Sequence, residues 1–230
     1  MDAAAKVEEK IYLFEDMPIG KAILKLSIPC VVASLVMIIY NLSDTYFVGL
    51  LKDAVQTSGV TLAAPALLAF NVVNNLFGVG TSSKMSRLLG EKRYDKVKDT
   101  SSFGFYCALI CAIVFALVCT IFKGGLLNLL GTDDVTRKVT SDYLFWTVTL
   151  GAVPAILNVV LGNLVRSEGS AIHASVGTMS GCLLNIILDP FFILPRFLNM
   201  GCAGAGCATF ISNFVACLYF FILLIVKRGK

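Results

Sequence analysis

The chain has 230 residues, 57% hydrophobic and only 15% charged, with a mean hydropathy of +0.82 and a formal net charge of +4. Soluble domains carry roughly 25% charged residues, and disorder needs low hydrophobicity with high net charge, so both classes are excluded. No grouping of the basic residues makes a stripe for nucleic acid, which leaves the lipid bilayer as the expected environment.

In chain order, Met1–Leu26 carries both signs of charge and no long apolar core, unlike a secretory signal, and Lys6–Met17 is expected as a short helix on the membrane surface. Charge-free runs follow at Leu26–Ser43, Ala54–Ser83, Ser101–Phe122, Tyr143–Val165, Gly169–Leu188 and Phe197–Val226. A helix needs about 20 apolar residues to cross the hydrocarbon core. Each run therefore predicts one crossing, the first reaching full length by continuing through Asp44 to Leu51. In lipid the backbone must satisfy itself, as helices or closed barrels, and these runs do not alternate as barrel strands do. The expectation is an all-α membrane protein, a single six-helix unit over 1–230 with helices near 26–51, 60–86, 101–122, 141–165, 170–194 and 203–226.

Lys and Arg in the connections set the orientation. With the N-terminus inside, fourteen of the 19 lie on the inner side and five outside, at Lys52, Lys123, Arg137, Lys138 and Arg196. This predicts a multi-pass protein of the cell membrane with both termini cytoplasmic and Gly90–Asp99 as the main cytoplasmic loop. The eight cysteines lie in or beside apolar runs without Cys-x-x-Cys spacing, and no His or carboxylate joins Cys107 and Cys111. They read as packing residues. No nucleophile–base pair or metal-ligand spacing suggests an enzyme, and no cofactor is expected.

The informative residues are the buried polar ones. Of fifteen Asp and Glu, only Asp44 and Asp189 fall within spans. A charge at mid-bilayer costs at least about 2.5–3.5 kcal/mol, so each marks a candidate site. Asp44 lies about 27 Å along the outward-running first helix and Asp189 about 30 Å along the fifth, at 1.5 Å per residue. Tyr143 and Thr209, on inward-running helices, start near that same outer level. Two carboxylates at one depth can share a proton or hold a cation. Asn41 and Asp44 are i,i+3, and Asn185 and Asp189 are i,i+4, so each acid is expected to have an amide one turn below it on its own face. Asn71, Asn74 and Asn75 on the second helix, and Asn158 and Asn163 on the fourth, are candidates for the same interior or for helix–helix hydrogen bonds. Pro65, Pro154 and Pro190 permit bends in spans. His173 is expected near the inner interface, and the glycines of Gly177–Gly181 and Gly201–Gly206 predict close helix packing.

The segments Tyr40–Gly49 (YNLSDTYFVG), Leu89–Lys92 (LGEK), Arg166–Gly169 (RSEG), Asn185–Ile193 (NIILDPFFI) and Gly201–Ser212 (GCAGAGCATFIS) together resemble the MATE, or multidrug and toxic compound extrusion, family of transporters over the whole chain. The resemblance implies two six-helix lobes related by an axis along the membrane normal, of which this chain looks like the N-terminal one. It implies export of organic-cation or amphiphilic drugs in exchange for H⁺ or Na⁺. It maps a cation-coupling cluster, a possible Na⁺ site, onto Asp44, Asn185, Asp189 and Thr209. Tyr143 and Asn158 are implied as neighbours, with Asn41, Asn71 and Asn75 as further cavity candidates. A second lobe does not follow Lys230 in this chain, so a homodimer, a separate half or a truncated, non-transporting subunit is the expected alternative. A flippase for lipid-linked substrates is the alternative activity within the same superfamily, and it would favour a basic cavity. The partners implied are lipid, an amphiphilic substrate and a second lobe, with no nucleic acid.

Overall fold

A computed structural model describes residues 17–228; the surface segment expected over Lys6–Met17 lies, apart from Met17, outside the described residues. The apolar runs fold as helices, each extending past at least one end of its run as flanking residues continue the helix. In order these are α1 (Ile19–Leu50), α2 (Ala54–Gly90), α3 (Tyr94–Ile121), a short α4 (Lys123–Leu129), α5 (Thr136–Leu144), a π-helical turn (Phe145–Leu150), α6 (Ala152–Ser167), α7 (Ala171–Ile193) and α8 (Cys202–Arg228). No strand occurs among the described residues. Five helices are long and apolar enough to cross a bilayer, and α5 with α6 makes a sixth crossing bent by 50°. The protein is an all-α membrane bundle.

Two features depart from the sequence expectation. The helix α4 falls between two predicted spans, and the fourth span is broken. At the break a Cβ on Gly151 would lie 2.5 Å from Thr147 O and 2.6 Å from Trp146 O. Only glycine lets the wider π turn pass into α6. Pro154, expected to bend a continuous span, instead sits in the first turn of α6, where its missing N–H breaks no helical hydrogen bond.

Lipid is as apolar as any side chain, so helices here are held by close packing and polar contacts rather than by exclusion of water. The small residues do this work. A Cβ on Gly177 would lie 2.5 Å from Phe220 Cζ, and one on Gly204 would lie 2.5 Å from Phe192 O. Ala63, Ala108 and Ala112 are fully buried. The central α6, buried on most sides, packs against α2, α3, α7 and α8. One core, around Met85, Leu161, Val165 and Phe220, lies toward the α2–α3 hairpin; a second, around Val48, Tyr143, Val148, Ile193 and Cys202, lies at the opposite end. There Gln56 of α2 accepts from Cys202 N–H at 2.9 Å and so fixes the start of α8. In contrast, α1 stands at the edge: it packs chiefly on α7 and barely touches α2 or α8.

Candidate ion-coupling site

The two in-span carboxylates lie on the helices α1 and α7, which pack together. Asp189 is fully buried and Asn185, one turn earlier on α7, is 1% exposed. With its nitrogen toward Asp189, the Asn185 amide donates to Oδ2 at 3.0 Å and to Oδ1 at 3.3 Å, and its carbonyl accepts from Thr209 N–H of α8 at 3.1 Å. That orientation satisfies both ends of the amide.

Asp44 lies close enough to Asp189 for the two charges to act on each other. Its Oδ1 is enclosed and has no hydrogen-bond partner among the described residues. A buried acceptor without a donor is a costly feature, of order 1–3 kcal/mol. Tyr143, 4% exposed in the same core, lies within electrostatic reach of both acids.

From Thr209 the polar contacts continue inward. Asn213 Nδ2 donates to Thr209 O at 3.0 Å, and Asn158 Nδ2 of α6 donates to Asn213 Oδ1 at 2.9 Å. An unbroken chain of hydrogen-bonding residues thus runs from Asp189 to Asn158, whose own Oδ1 is buried without a partner.

Of the sequence candidates, Asp44, Asn185, Asp189, Thr209 and Tyr143 come together, and Asn158 joins them through Asn213. Asn41, Asn71 and Asn75 do not. Asn41 is exposed and donates to Met37 O of its own helix at 2.9 Å. Asn71 is exposed and donates to Leu67 O at 3.1 Å, and Asn75 is exposed as well. The reason is helical geometry: positions i−3 and i−4 flank residue i on opposite sides, about 100° apart, and on α1 the side toward α7 belongs to Tyr40. Tyr40 sits beside Thr209 and within electrostatic reach of Asp44 and Asp189. On α2 it is Asn74, 3% exposed, that faces inward. Tyr40 and Asn213 escaped the sequence reading, although each lies one turn from a residue it singled out.

The donors present are oxygens of two carboxylates, an amide and hydroxyls, a set suited to a proton or a hard monovalent cation. No group of three or more His, Cys, Asp or Glu that could hold a metal ion occurs among the described residues.

Comparison with known proteins gives the family of the bundle. The sequence profile of the MatE family matches residues 29–191. The chain is 36% identical over 215 residues to the multidrug export protein MepA of Staphylococcus aureus, covering 94% of this chain and 47% of that protein. It superposes with a TM-score of 0.88 and 28% identity on an outward-facing multidrug resistance MATE family transporter of the MOP superfamily, covering 96% of this chain and 48% of that one. A MOP superfamily transporter from Pyrococcus furiosus, described as having a binding pocket of reverse polarity that suggests a different function, superposes with the same score, identity and coverage. The chain spans about half the length of the curated relatives it matches. With the family profile matched over most of its length and the bundle superposing closely, the chain belongs to the MATE (MatE) family.

Proposed function

We propose that this chain is one lobe of a secondary antiporter that exports organic cations or other amphiphilic drugs in exchange for H⁺ or Na⁺, with Asp44, Asn185, Asp189 and Thr209 as the coupling site. The observation that carries the reading is the enclosed carboxylate pair on α1 and α7, one of whose oxygens lacks a partner. Two enclosed anions repel, and a proton or sodium ion between them removes that repulsion. Occupancy of the pair acts directly on the seam that holds α1 in the bundle. The Asn185 amide ties the pair to α8, donating to Asp189 while its carbonyl accepts from Thr209 N–H. Likeness to MepA, a multidrug export protein, supports the drug-export direction.

By the distribution of Lys and Arg the lobe lies in the cell membrane with both termini cytoplasmic. It works with a second lobe, a further copy or a separate half, about an axis along the membrane normal. The relatives' double length supports this.

A flippase for lipid-linked anionic substrates is the second reading, prompted by the reverse-polarity pocket of the Pyrococcus relative. It is disfavoured because Lys and Arg keep to the ends of the spans. A non-transporting subunit is the third.

The test is transport by the purified chain in proteoliposomes, alone and with candidate partner halves, using a fluorescent organic cation under an imposed pH or Na⁺ gradient. Gradient-driven exchange that falls to background in Asp44→Asn, Asp189→Asn is the expected result. Wild-type exchange by the double variant would sink the coupling role. A basic, cation-rejecting cavity would favour the flippase.

A further inference from the structure

Where α2 turns into α3, two helix faces meet around an open cavity of about 360 Å³. Lys84 and Leu88, one turn apart on α2, form one wall; Arg93, Lys96, Asp99 and Thr100 form the other. The turn itself is tight. Lys92 has φ +57°, and Arg93 N–H donates to Leu88 O at 3.0 Å, which keeps the helix ends together. Between 84 and 99 six basic residues (Lys84, Arg87, Lys92, Arg93, Lys96, Lys98) oppose three acidic ones (Glu91, Asp95, Asp99). Glu91 is engaged by Arg93 at 3.3 Å. Lys84 and Lys96 have no ion-pair or hydrogen-bond partner among the described residues.

We propose that this cavity binds the phosphate of an anionic phospholipid headgroup. The site lies where the apolar run Ser101–Phe122 begins, at the level of lipid phosphates. Lys84 and Lys96 supply charge that no carboxylate among the described residues engages, Arg93 adds a guanidinium that also pairs with Glu91, Thr100 supplies a hydroxyl, and the positive N-terminal end of the long α3 points the same way. Asp99, which also lines the cavity, sets a limit to how much negative charge enters. The cavity is open at its side, and Phe103 and Tyr106 project from α3 farther along, 70% and 61% exposed. They provide an apolar track for an acyl chain, which favours a lipid over free phosphate. Basic pockets between helices at the membrane surface recognise anionic headgroups through this chemistry. The inference is independent of ion coupling: it concerns binding and needs no transport.

The full chain is extracted from bilayers of phosphatidylcholine with a minor fraction of phosphatidylglycerol, and the retained lipid is read by native mass spectrometry. Enrichment of phosphatidylglycerol is expected in the wild type. Lys84→Gln, Lys96→Gln should reduce it about 10- to 30-fold, given the contribution of each cation near a membrane surface. Arg87→Gln, Lys98→Gln makes the same charge change outside the cavity and should retain the enrichment. Equal loss in both variants would show diffuse surface charge and overturn the proposal, as would equal retention of the two lipids in the wild type. Displacement of the bound lipid by about millimolar inorganic phosphate would assign the site to a soluble anion and overturn the lipid.

Discussion

Asn185 stands between Asp189 and Thr209 and gives the buried carboxylate two hydrogen bonds. Leucine there keeps the branched outline, is somewhat larger, and removes both, leaving a buried acceptor unsatisfied at a cost of about 1–3 kcal/mol. Asn185→Leu is therefore expected to weaken ion-coupled exchange roughly tenfold or more while the chain still inserts. Ion titration of exchange rates in proteoliposomes would show it, and unchanged apparent ion affinity would count against the role. Outside the spans, Asp133 accepts from Thr136 Oγ1 at 2.7 Å and from Thr136 N–H at 2.8 Å, fastening the start of α5. Those bonds, the hydroxyl's first, hold its carboxyl below the ordinary carboxylate range. A lowered value in the folded state means the fastening is complete above about pH 4, the ordinary carboxylate value, and is lost as pH falls through the lower folded value. Hydrogen exchange at Thr136 N–H, corrected for intrinsic rate, should stay protected from about pH 5 upward and lose protection only below about pH 4. In Asp133→Ala the protection should be missing throughout.

Among the helices, closeness is set by glycines whose missing Cβ is occupied by a neighbour. Gly204 is the sharpest case, because the neighbour is backbone: Phe192 O, 2.5 Å from where a Cβ would stand. Gly204→Ala must push α8 away from the end of α7, near Asn185 and Asp189, and overpacking of this kind costs about 1–3 kcal/mol. Gly80, in the middle of α2, has nothing within 4 Å of its would-be Cβ. Gly80→Ala should be neutral or stabilising by up to about 1 kcal/mol through helix propensity. Thermal unfolding of the two variants in one detergent checks the contrast, and equal midpoints would contradict the packing argument.

Taken whole, the molecule has a well-knit part around α6 and an edge helix, α1, held almost entirely by α7; the apolar α1 residues Leu35, Ile38 and Leu42 are more than half exposed. Asn41, Asn71 and Asn75 lie exposed as well. Polar amides in contact with hydrocarbon are unfavourable, even though Asn41 and Asn71 each bond to their own helix. A partner covering the exposed parts of α1 and α2 would relieve them; Asn158, buried inside, is not among them. Mass measurement in mild detergent, or cross-linking in native membranes, is expected to show a second lobe associated. A transport-active monomer would refute the assembly.

Hydropathy alone determined the number of crossings, because in lipid each helix satisfies its own backbone and announces itself as an apolar run. The same logic isolated Asp44 and Asp189 and placed them at one depth, since rise per residue converts position into height. What it could not determine was rotation about each helix axis. In a water-soluble bundle the apolar stripe marks the inner face, but here lipid and protein interior are equally apolar, so neither α1 nor α2 carries a one-sided apolar stripe. Only the packing chose Tyr40 over Asn41 and Asn74 over its neighbours, joined Asn213 to Asn158, and broke the fourth span ahead of Pro154 at Gly151. Those choices belong to contacts between helices distant in sequence, which no single run of residues contains.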